Sequence, residues 1–511
     1  MAPGEMLDRR RILLILGGLV LAQIMAGVEG TIVSTAQRAI GADLGGLRQI
    51  SWIFTAYLLA QAASTPLWGK LGDQLGRRRL YQLGIMVFIG GAVVSGSSVN
   101  MPMLIIGRCI QGIGAGGLFS LSMAIMADVL SPRERGTYLG YMGGAYAGAT
   151  IIGPLVGGVF VDYLTWRWIF FFMLPLGLAA LFIANITPTS RFVPHEHRID
   201  YPGAALLVTW VTAIVLIARL GGEDFPWLSW QIGGLALVGA GAISGFVLQE
   251  RRAIEPIVPA RLFRERIVVT AAVIQFFVGF VMIGVTIMSP LYMQFVRDVN
   301  ATRSGMLTLP ITLGMLTTSV ATGRRLTRTG RYRHYPIIGS LAITLALALL
   351  ASMDTATSRL VASSYMLLFG LGIGATMQVV LVAVQNRVDQ ADLGIATSAT
   401  SFFRSIGQTI GSAVFSAVLV ARLDTFLPKL VPGQDLDIDS LQADPAKLRA
   451  LAPEVRAGVA ESFARSLHGV FLVAIPFALV AAAVAWFVPE HPLREGRNID
   501  DAELSPLEAL A

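Results

Sequence analysis

The segment Gly69-Lys70-Leu71-Gly72-Asp73-Gln74-Leu75-Gly76-Arg77-Arg78-Arg79 joins two long apolar stretches of the chain. A weaker copy, Gly323-Arg324-Arg325-Leu326-Thr327-Arg328-Thr329-Gly330-Arg331, joins another such pair. In both copies the glycines stand seven residues apart, and an arginine follows the second glycine. The repeat predicts a chain built from two related halves, with the same short basic loop in each.

The composition of the chain excludes an ordinary soluble protein. Of its 511 residues, 54% are apolar and only 14% are charged, whereas a soluble globular protein carries about 25% charged residues. The apolar residues run along nearly the whole length, which predicts a polytopic membrane protein. The single cysteine, Cys109, excludes a disulfide within the chain and any cysteine-rich metal site.

Fourteen apolar stretches are long enough to cross a bilayer as helices, which takes about 20 residues. The first follows Arg9-Arg10-Arg11 and is too long for a signal-peptide core, so we interpret it as a retained helix. The predicted spans are residues 12–37, 50–71, 80–98, 103–127, 137–160, 167–186, 202–219, 230–248, 267–296, 304–322, 335–352, 361–384, 394–420 and 467–488.

Lysine and arginine set the predicted orientation, because short loops rich in these residues stay on the cytoplasmic side. When the chain starts inside and alternates sides, most of its basic residues fall in the inside segments, and both termini are cytoplasmic. Topology therefore explains the net charge of +7 better than nucleic-acid binding does. The predicted location is a bacterial cytoplasmic (inner) membrane, where the chain is embedded in the lipid bilayer.

The spacing of the two basic loops predicts the domain organisation. Eight spans separate the loops, where a simple six-helix repeat would give six. We predict an all-α fold of two six-helix bundles with two extra helices between them, an arrangement related to that of parallel-repeat transporters. The predicted segments are an N-terminus 1–11, a first bundle 12–186, the extra pair with linkers 187–266, a second bundle 267–488 with a long extracytoplasmic loop 421–466, and a cytoplasmic tail 489–511.

The first basic loop resembles the signature loop of the major facilitator superfamily. Three further segments resemble motifs of that family: Gly107–Ala115 in span 4, Gly153–Gly158 in span 5, and Trp166–Phe170 before Pro175 at span 6. Fourteen spans with an extra central pair resemble its drug:proton antiporter branch, over residues 12–488. The resemblance implies the major facilitator fold, alternating access, and multidrug efflux by proton antiport of the kind that gives antibiotic resistance.

Glu29 is the residue on which the functional prediction depends, since no other Asp or Glu lies well inside a predicted span. An ionised carboxylate near mid-membrane is costly, so burial favours its neutral form and allows proton exchange. The permanently charged Arg108 lies in span 4 at a compatible depth and would favour the ionised form. The alternatives are a glutamate that only faces a water-filled vestibule and an arginine bonded to helix carbonyls.

Two glycine-containing motifs predict the moving parts. Asp73 can accept hydrogen bonds from arginines or from a helix N-terminus, and the resemblance implies that it latches the cytoplasmic side closed. Thr327 replaces it in the second copy, so that half is expected to lack the latch. The glycines of span 5 permit close approach of a neighbour across the bundle, unless they face lipid. The gating motif is Gly69, Gly72, Asp73, Gly76, Arg77 and Arg78, and the antiporter motif is Gly153, Pro154, Gly157 and Gly158.

The cargo site is predicted from aromatic and amide side chains within the spans. Such side chains suit bulky amphipathic molecules, although helix packing also explains each of them singly. Arg404 is the strongest candidate because a buried cation demands a partner. Two buried arginines against one acid argue against dications and leave neutral, weakly basic, anionic or lipid-like cargo open. The candidates are Tyr57, Gln61, Gln111, Gln275, Phe276, Gln378, Phe403 and Arg404.

The predicted function is proton-coupled export of drugs or other amphipathic compounds, with the proton as coupling ion and no cofactor or metal. A dedicated lipid or natural-product exporter, with a periplasmic adaptor engaged through residues 421–466, and a solute importer are the alternatives. No Gly-x-x-x-x-Gly-Lys-Ser/Thr loop occurs, which argues against an ATP-driven pump. The five histidines lie in loops or at span ends, which argues against an intramembrane enzyme. We expect a monomer.

Overall fold

A computed structural model shows the chain as a bundle of long helices. The residues that it describes are 9–44, 50–130, 132–186, 200–222, 225–253, 256–257, 261–299, 301–389, 392–432 and 451–492. Within these ranges there is no β-strand, and the one extended pairing is an isolated bridge between Gly221 and Phe225.

Fifteen α-helices make up the described bundle. The first half contains α1 (Arg9–Leu44), α2 (Ile50–Leu75), α3 (Arg77–Gly96), α4 (Met101–Val129), α5 (Pro132–Tyr163), α6 (Trp168–Phe171) and α7 (Met173–Ile186). An inserted pair follows, α8 (Tyr201–Leu220) and α9 (Trp230–Arg252). The second half contains α10 (Arg266–Leu291, continued by a π-helical turn to Val296), α11 (Ala301–Thr329), α12 (His334–Ala351), α13 (Arg359–Arg387), α14 (Leu393–Leu430) and α15 (Pro453–Ala485).

The fourteen predicted spans all coincide with these helices, with α6 and α7 together covering the sixth. Twelve helical segments of the described chain are long and apolar enough to cross a membrane. The other two predicted spans coincide with α2 and α5. The prediction of an all-helical membrane fold is confirmed.

The two halves pack their helices in the same way. In the first half α1 packs on α5, and α2 and α3 both pack on α4. In the second half α10 packs on α14, and α11 and α12 both pack on α13. The first helix of each half is therefore a partner of the fifth, and the fourth helix lies between the second and the third.

Close crossings at glycines show which residues are equivalent in the two halves. A Cβ on Gly153 of α5 would lie 3.0 Å from the carbonyl oxygen of Val28 in α1. A Cβ on Gly411 of α14 would lie 2.5 Å from the carbonyl oxygen of Phe280 in α10. Since both crossings are too tight for a side chain, Gly153 corresponds to Gly411 and Val28 corresponds to Phe280.

The same alignment relates a second pair of crossings, one residue earlier in α1 and in α10. Gly27 packs against the backbone of α5, where its Cβ would lie 2.7 Å from the carbonyl oxygen of Tyr146. Gly279 packs against the backbone of α14, where its Cβ would overlap the carbonyl oxygen of Arg404. Tyr146 and Arg404 each precede the glycine of the first crossing by seven residues. They therefore occupy equivalent positions in the two halves.

The halves meet along two helix pairs. Helix α5 packs on α11, and α2 packs on α14. The inserted helix α8 packs on both α2 and α14, so it covers the seam between the halves on that side. An apolar cluster fills this seam and includes Ala62, Ala63, Leu207, Val211, Val215, Phe246, Phe402 and Ile406.

Helices α14 and α15 extend beyond the predicted spans. The sequence predicted a loop over 421–466, but α14 continues to Leu430 and α15 begins at Pro453. Residues 433–450 of that loop lie outside the described residues. The extensions are held by apolar side chains at helical spacing, since Leu423, Val459 and Phe463 are all buried. Polar composition alone hid this spacing, and much of the predicted loop is helix.

Replacing Gly407 with alanine is expected to destabilise the second half, because the new Cβ would overlap the carbonyl oxygen of Phe276. Overpacking of this kind costs about 1–3 kcal/mol. We expect a lower midpoint of thermal unfolding for the purified protein in detergent. Gly305→Ala is the matched control, because nothing lies within 4 Å of its Cβ position. Equal midpoints for the two variants would contradict the tight crossing of α10 and α14.

Candidate functional site

A buried ion pair joins α1 to α4. The guanidinium of Arg108 donates a hydrogen bond from Nη1 to Oε1 of Glu29. The two side chains are 1% and 0% exposed, respectively. A buried carboxylate and a buried guanidinium are each very unfavourable alone, so each makes the burial of the other possible.

Three further contacts fix the position of Arg108. Its Nε donates to the carbonyl oxygen of Ile53 in α2 at 3.1 Å. Its Nη1 also donates to Oε1 of Gln111 at 2.8 Å. The ring of Tyr57 lies under the guanidinium, with 4.3 Å between Cζ and the ring centroid. Arg108 therefore ties together α1, α2 and α4.

The glycines of α4 explain why α2 and α3 approach Arg108 so closely. A Cβ on Gly112 would overlap the carbonyl oxygen of Tyr57 in α2. A Cβ on Gly107 would lie 2.8 Å from the amide nitrogen of Ser95 in α3. The glycines of α4 thus allow the backbones of α2 and α3 to pack close to Arg108, and they bring Tyr57 against it.

The second oxygen of the buried carboxylate differs from the first in its contacts. Oε2 of Glu29 has no hydrogen-bond partner among the described residues, and neither has Nε2 of Gln111. A proton on Oε2 would neutralise Glu29 and remove the charge that holds Arg108. The geometry is therefore that of a carboxylate whose protonation would loosen the contact between α1 and α4.

Asp73 lies at the end of α2 that we call the basic end of the bundle, because Arg77, Arg78 and Arg135 lie there too. Its Oδ1 accepts hydrogen bonds from Arg77 Nε at 2.9 Å and Nη2 at 2.6 Å. Its Oδ2 accepts a hydrogen bond from the backbone N–H of Ile395 at 3.0 Å. Ile395 is in the first turn of α14, so the carboxylate of one half caps a helix of the other.

The second half carries a neutral contact at the position equivalent to Asp73. The hydroxyls of Thr327 in α11 and Thr137 in α5 are 3.0 Å apart and hydrogen-bonded. The equivalence of α5 and α14 matches Thr137 with Ile395. The exchange of Asp73 for Thr327 therefore keeps the contact but removes its charge. The sequence could not reveal this hydrogen bond, because it forms between two short side chains that belong to different halves.

The remaining gating residues hold the basic loop and its surroundings. Arg77 also pairs with Asp128 of α4. Arg78 donates from Nε to the carbonyl oxygen of Ala184 at the end of α7, at 2.9 Å. Gly76 has φ of +96°, a conformation that favours glycine. Gly69 and Gly72 lie at close crossings, against Ser398 of α14 and Leu121 of α4 respectively.

The antiporter motif packs within the first half rather than across the bundle. A Cβ on Gly153 or Gly157 would meet residues of α1, in particular Val28 and Ile32. No atom of the residues that the structure describes lies within 4 Å of the Cβ position of Gly158. Pro154 falls in α5, but its side chain lies outside the described residues. The motif therefore presses α5 against α1 directly beside Glu29.

The predicted cargo residues lie at several separate places in the bundle. Tyr57 and Gln111 belong to the Arg108 cluster, and Gln61 is half-buried in the neighbouring turn of α2. Gln275 donates to the carbonyl oxygen of Met377 at 3.3 Å, while Gln378 lies against Gly143 of α5 at the interface of the halves. Phe403 packs on Phe263, and Phe276 borders the cluster under α8, so both point toward the inserted segment.

Arg404 lies between the halves. Its guanidinium Cζ is 4.7 Å from the ring centroid of Phe119 in α4, and Tyr146 of α5 lies within electrostatic reach. Neither Phe119 nor Tyr146 was predicted from the sequence. Both are aromatic residues in glycine-rich helices, which gave no signal separating them from ordinary packing residues. No group of three or more His, Cys, Asp or Glu residues suited to a metal occurs among the described residues.

The chain matches known membrane transporters over most of its length. A family model described as the Major Facilitator Superfamily matches residues 19–412. An uncharacterized MFS-type transporter of Mycobacterium tuberculosis (strain ATCC 25618 / H37Rv) is 37% identical over 502 residues, which cover 98% of this chain and 73% of the relative. The multidrug transporter protein MdtP of Bacillus subtilis (strain 168) is 33% identical over 520 residues, covering 96% and 95% respectively.

Among solved structures, the chain is similar to the MFS proton:xylose symporter XylE bound to 6-bromo-6-deoxy-D-glucose. The TM-score is 0.62 at 16% identity, and the match covers 95% of this chain and 98% of the other. At this identity the likeness concerns the fold alone.

Removing one member of the buried pair is expected to destabilise the protein more than removing both. Arg108→Gln leaves Glu29 buried without its partner, which costs about 3–5 kcal/mol when a buried pair is broken. The double variant Glu29→Gln/Arg108→Gln leaves no charge behind and should unfold at a higher temperature than Arg108→Gln in detergent. The exposed pair Asp43 and Arg167 is the control, with an expected coupling of about 0–1 kcal/mol. Additive effects at Glu29 and Arg108 would contradict the buried pair.

Loss of the Asp73 carboxylate is expected to open the basic end. In a Cys109→Ala background, Ser398→Cys places a thiol at a buried position beside Gly69. Adding Asp73→Ala should speed labelling of this thiol by maleimide severalfold, because the cap on α14 is lost. Thr327→Val removes only the neutral hydrogen bond and should have a smaller effect. Unchanged labelling in Asp73→Ala would show that this contact does not hold the halves together.

Proposed function

The chain belongs to the major facilitator superfamily, and from this premise we propose that it exports drugs or other amphipathic compounds in exchange for protons. In this proposal it works by alternating access in a bacterial cytoplasmic membrane. The basic end faces the cytoplasm, and both termini lie on that side. The multidrug transporter at 33% identity over nearly its whole length supports drugs as the class of cargo.

The ion pair between Glu29 and Arg108 is the observation that carries the proposal. The pair connects α1 with α4 and, through Ile53, with α2. Protonation of Glu29 from the outside weakens this link, and loss of the proton to the cytoplasm restores it. A conformational change that depends on the charge of one buried carboxylate is the minimum needed to couple protons to transport.

The contacts at the basic end support the second part of the cycle. Asp73 accepts from the backbone of Ile395, and Arg135 donates to the carbonyl oxygen of Gln385 at 3.2 Å. In the proposed orientation these contacts close the cytoplasmic side, so the described state is one that does not open inward. Opening inward requires that they break, and protonation of Glu29 from the outside is the step that would allow it. Proton release to the cytoplasm and cargo binding from that side would then drive the return.

One proton per cycle is energetically sufficient. Entry of a proton yields about 2.3 kcal/mol per 100 mV of membrane potential and about 1.4 kcal/mol per pH unit. The sum, about 3.7 kcal/mol, supports a cargo gradient of roughly 500-fold. The proposal therefore needs only one titrating carboxylate, and the proton serves as coupling ion without a cofactor.

A dedicated lipid or natural-product exporter of the same fold is the second candidate. It is favoured by the extensions of α14 and α15 beyond the membrane segment, which offer a surface for a periplasmic adaptor. A monomeric drug exporter is the first candidate, because proton-coupled transport through Glu29 and Arg108 needs no second chain. Selective movement of a lipid with no export of soluble dyes would favour the second candidate, and proton-driven uptake would favour an importer.

Glu29→Gln is expected to lower dye export driven by a pH gradient in proteoliposomes by at least about tenfold, because an amide cannot release a proton. Dye-for-dye exchange without a gradient should persist, since alternating access itself remains possible. The control is Asp43→Asn on the same helix. Hydrogen bonds from Arg167 and Trp166 hold the pKa of Asp43 below its usual range, so it stays ionised near neutral pH.

The control variant should export dye at the rate of the wild type, because Asp43 lies at the exposed end of α1. Gradient-driven export that Glu29→Gln leaves intact would remove this residue from the coupling step. Loss of both exchange and export would instead point to a folding defect, which size-exclusion chromatography of the variant would reveal.

A further inference from the structure

Arg404 is a membrane-embedded cation without a counter-charge in the structure. It lies eleven residues into α14, which at 1.5 Å per residue is about 16 Å from the start of the helix. Its Nε is buried and has no hydrogen-bond partner within the described part of the chain. Among the described residues, no carboxylate forms an ion pair with it, whereas the carboxylate of Glu29 is already bound to Arg108.

The equivalence of the halves places Arg404 next to the pseudo-twofold axis. Arg404 and Tyr146 occupy equivalent positions in α14 and α5, as the crossings at Gly279 and Gly27 show. They also lie within electrostatic reach of one another. Two points related by a twofold axis are close together only when both lie near that axis. In transporters built from repeats, the interface of the halves near mid-membrane is where cargo binds.

The surroundings of Arg404 leave its charged end directed at the other half. Gly279 lets the backbone of α10 pack against the main chain of Arg404, so that side of the residue is filled. The guanidinium lies instead over the ring of Phe119 in the first half. A cation over an aromatic face is only partly stabilised, by about 0.5–2 kcal/mol. The planar fork of donors therefore remains available to an oxyanion, which it can bind in bidentate fashion.

We propose that Arg404 binds the anionic group of the cargo, so that the transported compounds are aromatic organic anions bearing a carboxylate, sulfonate or phosphate. Phe119 and Tyr146 supply flat apolar surface for the rest of the molecule. This inference rests on the proposed transport function and narrows its substrate class. It follows from one uncompensated positive charge at the axis, where a dication would be repelled.

The coupling pair and the cargo cation lie along one chain of neighbouring groups. Tyr57 stacks on Arg108, and Tyr146 lies near both Tyr57 and Arg404. Tyr146 is thus placed to join the proton site to the cargo site.

Binding of three probes that share one apolar body tests the proposal. The probes are 4-(1-pyrenyl)butyrate, 4-(1-pyrenyl)butanol and 4-(1-pyrenyl)butylamine, measured by fluorescence anisotropy with the full-length protein in a neutral detergent. We expect the carboxylate to bind at least about tenfold more tightly than the alcohol, as a charge-assisted hydrogen bond predicts. The amine should bind most weakly.

Arg404→Gln should remove the preference for the carboxylate while leaving the affinity for the alcohol within about twofold, because only the charge is lost. Arg404→Lys should keep part of the preference. The matched control is Arg422→Gln, which removes an arginine of the same helix that also lies near a phenylalanine ring, that of Phe426. Arg422 lies eighteen residues further along α14, so its loss should leave the preference unchanged.

Equal affinity for the three probes, or tighter binding of the amine, would overturn the proposal. So would a loss of carboxylate and alcohol binding to the same extent in Arg404→Gln, since that is what a packing role predicts. Displacement of the pyrene carboxylate by phosphatidylglycerol in the micelles would assign the site to a lipid headgroup and overturn the aromatic cargo. The binding assay uses no proton gradient, so its result does not depend on whether transport is coupled to protons.

Discussion

The cost of burying an unpaired charge is the constraint on which the first half of the protein depends. Glu29 and Arg108 are both almost fully buried, and neither is tolerable there without the other. Their contact fixes α1 against α4, and the bond from Arg108 to Ile53 adds α2. Because the pair persists only while Glu29 is ionised, the packing of three helices depends on a single proton. In the proposed cycle, a stability requirement and a transport step would thus share one interaction.

Glycine provides the geometry that this pair needs. In α4 it lets α2 and α3 approach Arg108, and in α5 it presses α1 from the other side at Gly153 and Gly157. Both segments are motifs in the sequence, and in the structure they let neighbouring helices pack closely around Glu29. The antiporter motif lies beside the ion pair rather than between the halves, so its influence on coupling would act through α1.

The sequence was sufficient for the architecture because apolar length and the repeated basic loop are properties of single helices and of their order. It also singled out Glu29, Arg108 and Arg404, since charged residues in apolar segments stand out by composition, and it singled out Asp73 through the loop motif. It could not reveal that Thr327 contacts Thr137, or that Phe403 turns toward the inserted segment. Those outcomes depend on how each helix is rotated about its own axis. A helix that is apolar on every face carries no sequence pattern that specifies this rotation. The helical extensions past residue 420 were missed because polar residues masked a buried apolar spacing.

The two halves share a fold but differ in chemistry at their equivalent positions. Asp73 corresponds to Thr327, and Tyr146 corresponds to Arg404, while the alignment of α1 with α10 matches Glu29 with the buried Val281. In each of these pairs, only one of the two equivalent residues is charged. The first half holds the titratable carboxylate, and the second half holds the uncompensated cation. A symmetric pair of carboxylates would titrate together and repel an anion at the axis. In the proposed cycle, the asymmetry instead separates the proton site from the anion site by a short chain of aromatic groups, so each would affect the other without direct contact.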